Sequence, residues 1–204
     1  MAKPGVMLLR RRSPGIEDRP TTISQEFEYL DRGWIAVVRW LNANGVDYVL
    51  VGAAAEAVRG HRDARGPVAI VVAPYRRNYD CLERALWAAH ARQRLDHALD
   101  PQPDTVPVKV TAEKLARGQR WTLRCGTHDL DIEPLRPPEG ESESSVPGYQ
   151  ELLYEAARFV LADDVSVEVA SPEDIEHYAQ RARTGVAPTV RITRVAGTPQ
   201  AAGS

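Results

Sequence analysis

From Ser24 to Leu41 the apolar residues Phe27, Leu30, Trp34, Val37, Val38 and Leu41 recur at three- and four-residue spacing, the period of a helix that buries one face. Ser24 offers an N-cap and Asn44-Gly45 an end for this helix. Asp47 to Gly52 (DYVLVG) is short, β-branched and aromatic, which predicts a buried strand. The alanine-rich stretch from Ala53 to Arg59 predicts a short helix closed by Gly60, and Val68 to Val72 a second strand stopped by Ala73-Pro74. A further helix is expected from Asn78 to about Gln93, built on Leu82, Ala85, Leu86 and Ala89. The order so far is α-β-α-β-α.

The pattern then shifts towards strands. A Pro-rich loop runs from Pro101 to Pro107, followed by an expected strand at Val108–Val110, a short helix at Ala112–Ala116, and a strand pair at Trp121–Arg124 and Leu130–Ile132. Glu139, Glu141 and Glu143 sit among Pro137, Pro138, Gly140 and several serines, a composition that reads as a solvated acidic loop. Gly148 to Ala157 predicts a helix, and Val165 to Val169 alternates as a strand. Ser171-Pro172-Glu173-Asp174 opens a last helix, with Ser171 as N-cap and Pro172 in the first turn.

Together these elements predict one mixed α/β domain of the α+β class over residues 24–183, a small twisted mixed sheet flanked by helices. Residues 1–23 hold Pro4, Pro14, Gly15, Pro20 and the triplet Arg10-Arg11-Arg12 without a sustained period, and read as a flexible basic arm. Residues 184–204 read as a flexible tail. From Arg181 onward there is no acidic residue, while Arg181, Arg183, Arg191 and Arg194 make the segment basic.

Composition narrows the function classes. A formal net charge of −2 with 43% hydrophobic residues gives a globular chain no global attraction to polyanions or membranes, so any such attraction is local. The longest apolar runs are too short to cross a bilayer. Met7-Leu8-Leu9 is too short for a signal peptide and most of its charge follows it, so the expected location is cytoplasmic. Cys81 and Cys125 supply no disulfide framework and read as buried thiols. Trp34 and Trp87 fall on helical apolar stripes and are expected in the core. Cys125 and His128 have zinc-like spacing but lack a second pair.

One ordered string of residues carries a family resemblance. Gly45-Val46-Asp47-Tyr48 leads through Val49-Leu50-Val51 to Gly52. An alanine helix then reaches Gly60, and the second strand ends Val71-Val72-Ala73-Pro74 before Arg77-Asn78 and a helix with Ala85-Leu86. Downstream come Asp129-Leu130-Asp131, a helix with Tyr149 and Leu152-Leu153, and Val167-Glu168-Val169-Ala170-Ser171-Pro172-Glu173-Asp174. Over about residues 24–183 this resembles the small nucleotidyltransferases of the polymerase-β-like superfamily, including those of toxin–antitoxin and phage-abortive systems. The resemblance implies a nucleotidyltransferase-like fold, with a Gly-Gly turn that approaches a triphosphate. It also implies two carboxylates one residue apart on the second strand, and a third on its neighbour, all ligating divalent metal.

This sequence departs from that pattern where the chemistry sits. The paired carboxylate positions are Pro67 and Ala69, the Gly-Gly turn is Gly52-Ala53, and the motif's Arg and Thr positions hold Asp63 and Arg65. Only Asp131 stands at the third carboxylate, with Asp129 two residues away on the same strand face. The expectation is a catalytically degenerate protein, without a metal or other cofactor, that acts by binding as a regulatory or antitoxin-like partner, or through phosphate. Gly52 and Ala53 line the old cleft, and Arg59, Arg62, Arg65, Arg76 and Arg77 supply guanidinium forks suited to a nucleotide, an RNA backbone or an acidic protein. The alternative is an active Mg2+-dependent transferase with a rearranged site built from Asp63, Asp129 and Asp131.

Overall fold

Tyr48–Val51 and Val68–Val72 are apolar at every position and buried at every position, so both strands need cover on both faces and must lie inside a sheet. In the computed structural model, which describes residues 13–17, 21–95, 104–135 and 148–184, they are its centre. The elements are α1 (Arg32–Ala43), β1 (Tyr48–Val51), α2 (Gly52–Val58), β2 (Val68–Val72), α3 (Arg76–Ala88), β3 (Arg92–Leu95), β4 (Asp104–Pro107), α4 (Ala112–Ala116), β5 (Trp121–Cys125), β6 (His128–Glu133), α5 (Tyr149–Glu155), β7 (Ala157–Ala162), β8 (Val165–Val169) and α6 (Pro172–Thr184). A single 3-10 turn, Gln25–Phe27, precedes α1.

The fold is mixed α+β, with one eight-stranded sheet in the order β4-β3-β5-β6-β2-β1-β8-β7. β2 lies antiparallel to β1 and parallel to β6, and the second pairing sets Val68 against Leu130, Ala69 against Asp131 and Val71 against Glu133. Helix α2 packs on β1 and β2, and α1 packs on β6 and β8. The core includes the fully buried Trp40, Leu41, Leu50, Ile70, Leu82, Leu86, Leu123 and Leu130. Ser171 caps α6 as its sequence predicts, its Oγ accepting from the Asp174 amide at 3.2 Å.

Several boundaries differ from the sequence expectation, each for a physical reason. The first helix starts at Arg32, where the Asp31 side chain accepts from the Gly33 amide. Phe27 and Leu30 are buried too, so the apolar spacing runs on across a turn. The helix expected to reach Gln93 ends at Ala88, because His90 takes φ +50° and reverses the chain into β3. Val108–Val110 is not a strand; pairing stops at Pro107, which has no amide hydrogen and sits on the sheet's edge. Trp87 is 74% exposed rather than in the core. Cys125 is buried and Cys81 partly so, and both are free thiols.

Part of the segment expected as an arm lies on the domain. Ile23 bridges Ala162, the Ser24 amide donates to the Leu161 carbonyl, and the Asn44 side chain donates to the Pro14 carbonyl. Ile16 and Ile23 pack against the core. The Arg triplet, the acidic loop around Glu141 and the tail beyond Thr184 lie outside the described residues. Among the described residues, no helix is long and apolar enough to cross a membrane.

Candidate functional site

Because successive strand residues alternate faces, Asp129, Asp131 and Glu133 of β6 share one face of the sheet. The parallel register puts Ala69 of β2 directly beside Asp131. On the other flank, the hairpin closed at Gly126-Thr127 sets Arg124 opposite Asp129 and Thr122 opposite Asp131, and β3 continues the sheet beyond β5. The acids of β6 therefore meet the arginines of β3 and β5.

They meet as a closed network. Arg94 Nη2 donates to Asp131 Oδ1 at 2.9 Å, and its Nη1 lies 3.5 Å from Asp129 Oδ2. Arg120 Nη2 donates to Asp131 Oδ2 at 3.2 Å and its Nε to Glu133 Oε1 at 3.1 Å. Arg124 grips Asp129 with two bonds, 2.8 Å and 3.1 Å. Both Asp131 oxygens are thus taken by guanidinium donors, at a residue only 3% exposed, and Arg94 itself is 6% exposed. Burial raises the pKa of Glu133 even though Arg120 and Arg181 pull it down, while the bond to Asp129 raises that of Arg124.

The turn into α2 closes over the same place. Gly52 begins the helix at φ +63°, and a Cβ built there would stand 3.0 Å from the Ala69 Cβ. A Cβ on Gly66 would come within 3.3 Å of the Ala53 Cβ, so Ala53 faces the loop before β2.

The five arginines singled out from the sequence do not form one cluster. Arg59 donates to the carbonyls of Ala170 and Val169 at 2.8 Å and 3.1 Å and lies over the Phe159 ring. Its charge is spent fastening α2 to the end of β8, and partial burial lowers its pKa. Arg62 stacks on Tyr29 at 4.6 Å, and Arg65 donates to the Arg62 and Ala64 carbonyls. Arg76 pairs with Asp80 in the first turn of α3, beside exposed Arg77. The two groups lie at opposite ends of β2, a strand that alone spans roughly 16 Å.

Asp63 lies in the exposed loop before β2. No group of three or more His, Cys, Asp or Glu among the described residues is arranged to hold a metal ion, so Asp63, Asp129 and Asp131 do not converge. Cys125 and His128 pair across the β5–β6 turn, and burial pushes the Cys125 thiol up to about 12. A separate cavity of about 740 Å³ opens beside His128, Asp31 and Arg39, at the start of α1.

The sequence reading missed Arg94, Arg120 and Arg124. A signal for one of them was present: Arg124-Cys125-Gly126-Thr127-His128-Asp129 is a two-residue hairpin in which Arg and Asp fall opposite each other. Arg94 carries no such signal, since the helix expected from Asn78 to about Gln93 overlaps the first half of its strand.

No family model matches the chain, and no curated protein matches it. Among solved structures, an antigenic nucleotidyltransferase-like protein from Paracoccidioides brasiliensis is similar at 19% identity and a TM-score of 0.36, covering 81% of this chain and 71% of that one.

Proposed function

We propose that this chain is a nucleotidyltransferase-like domain that does not carry out metal-dependent transfer and acts by binding. The observation that carries this reading is the state of Asp131: both of its oxygens are held by Arg94 and Arg120, and the strand beside it offers Ala69. Metal-assisted phosphoryl chemistry needs carboxylate oxygens open to divalent cations. Here a fixed guanidinium charge sits against the carboxylate, and the neighbouring strand supplies no second ligand.

The binding surface in this reading is the loop before β2 with the turn at Gly52 and Ala53. Arg62 and Arg65 are held there by an aromatic face and by backbone carbonyls, and neither pairs with a carboxylate among the described residues. Guanidinium forks presented in this way suit a phosphate group, as in a nucleotide or an RNA backbone, and also an acidic protein partner. Arg59 anchors the helix that carries the loop, and Arg76 and Arg77 form a second basic end of β2.

Calorimetric titration with ATP, GTP, CTP and UTP, each with and without Mg2+, tests the reading. The expected result is binding that is indifferent to Mg2+ and weakened in the Arg62→Ala/Arg65→Ala variant, with no nucleotide transferred. Binding that requires Mg2+, abolished by Asp131→Asn, would instead establish the transferase built on Asp63, Asp129 and Asp131.

A further inference from the structure

We infer that the corner where α3 turns into β3, facing the end of β4, is a base-stacking site for single-stranded nucleic acid. It shares no lining residue with the loop of Arg62 and Arg65 and does not depend on the function proposed for that loop. Trp87, at the C-terminal end of α3, is 74% exposed, although its neighbour Leu86 is fully buried. His90, at φ +50°, turns the chain so that its amide donates to the Trp87 carbonyl, and the Ala91 amide donates to that of Leu86. This reversal brings Trp87 to the rim of a slot of about 220 Å³ whose far wall includes Pro107 and Val110.

The slot's size selects what enters. Pockets for whole small molecules run to roughly 300–1,000 Å³, so this one takes a single planar ring and leaves the rest of the ligand outside. The groups around it are cationic. Arg92 and Lys109 line the slot, Lys114 is tied to the Lys109 carbonyl at 2.8 Å, and Arg84 lies one helical turn before Trp87. None of these four pairs with a carboxylate among the described residues, whereas Arg94, Arg120 and Arg124 are all paired. Glu83, next to Arg84, is occupied as an acceptor for the Ala112 amide at 2.7 Å.

An exposed indole face beside cations that pair with no described carboxylate is the combination that single strands require: a base stacks on the ring while the phosphates track the charge. A duplex keeps its bases stacked on one another and cannot offer one to the slot. An acidic peptide would answer the cations but not the indole face. The site reads no base edge, so sequence preference is weak.

Fluorescence anisotropy with labelled ten-nucleotide oligo-dT and oligo-rU on the full chain tests the inference. Binding is expected, falling steeply as salt rises. Trp87→Ala is expected to weaken it about tenfold, with an unchanged urea midpoint because the side chain is exposed. Trp87→Phe retains most of the affinity, and Lys109→Glu weakens binding and flattens its salt dependence. Trp87→Ala weakens oligonucleotide binding by the same factor whether or not Arg62→Ala/Arg65→Ala is also present, which separates this site from the β2 loop. The inference is overturned if the oligonucleotides do not bind, if Trp87→Ala binds as tightly as the parent, or if poly-glutamate displaces oligonucleotide at equal charge concentration.

Discussion

Asp131 and Arg94 make each other's burial tolerable, with Arg120 also on Asp131 and Asp129 near Arg94. Breaking a buried pair from one side costs about 3–5 kcal/mol, of which the half-exposed Arg120 left on Asp131 offsets a part, whereas replacing both with apolar groups costs far less. Arg94→Met is therefore expected to lower the unfolding free energy by about 3 kcal/mol, and Arg94→Met/Asp131→Leu to lose less than the single change. The remaining partners can adapt in the double variant, since Arg120 is 42% exposed and Asp129 partly so. Urea titration of the two variants reads this directly. Glu133 makes a pH-dependent contribution of definite sign. Its folded pKa is raised above the ordinary value of 4.5, so the folded state holds the proton more tightly than the unfolded chain does. That stability is fully present below 4.5 and is lost as pH rises through the raised folded value. Glu133→Gln should remove this loss, so the gap between variant and parent urea midpoints shifts in the variant's favour as pH climbs above 4.5. A gap that does not change with pH would show that Glu133 titrates alike in both states.

At the scale of elements, the turn from β1 into α2 shows what packing demands of sequence. Gly52 needs a left-handed backbone and also the absence of a Cβ, because Ala69 stands 3.0 Å from where one would be. Gly52→Ala is expected to cost about 2 kcal/mol, measurable as a lower melting temperature. Ala53, one residue on, tolerates serine with little change. The central strands and the Gly52 turn were legible because burial on both faces writes itself as a continuous apolar run. β3 was not: its residues are Arg-Gln-Arg-Leu, with Arg92 exposed and Arg94 buried against acids from another strand rather than by apolar contact. β7 alternates between exposed and partly buried along its outer half, so it follows a helical stretch without a sharp change of composition. The carboxylate site was legible in what it lacked, Pro67 and Ala69. The arginines that close it come from strands whose pairing no local pattern announces. Trp87 misled for a related reason: it sits one position from buried Leu86, and a stripe of that width does not say which side of it faces water.

For the molecule as a whole, the described residues leave β4 and β7 as the edges of the sheet, and an open edge is a template for pairing with another copy. β4 is short and ends in Pro107, which blunts one edge. The other edge, β7, is longer and carries Val160 at 58% exposure. Residues 21–24 run alongside only its last part: Ile23 bridges Ala162, Ser24 bonds Leu161, and Arg39 reaches both Thr21 and Asp164. The N-terminal residues do two jobs: residues 21–24 cover backbone groups on the edge, and the partly buried Ile16 and Ile23 add to the core. A chain beginning at Ser24 loses both. The apolar burial removed amounts to about 2 kcal/mol for two partly buried isoleucines, and the uncovered edge gains free donors and acceptors beside an exposed Val160. Such a chain should therefore melt at a lower temperature and associate with rising concentration in sedimentation, while full-length Ile23→Ala loses some stability without associating, because its backbone still covers the edge. If the shortened chain instead remains monomeric at every concentration at which the full chain does, then the exposed Val160 and Arg158 half of β7 is self-protecting, and residues 21–24 serve stability alone.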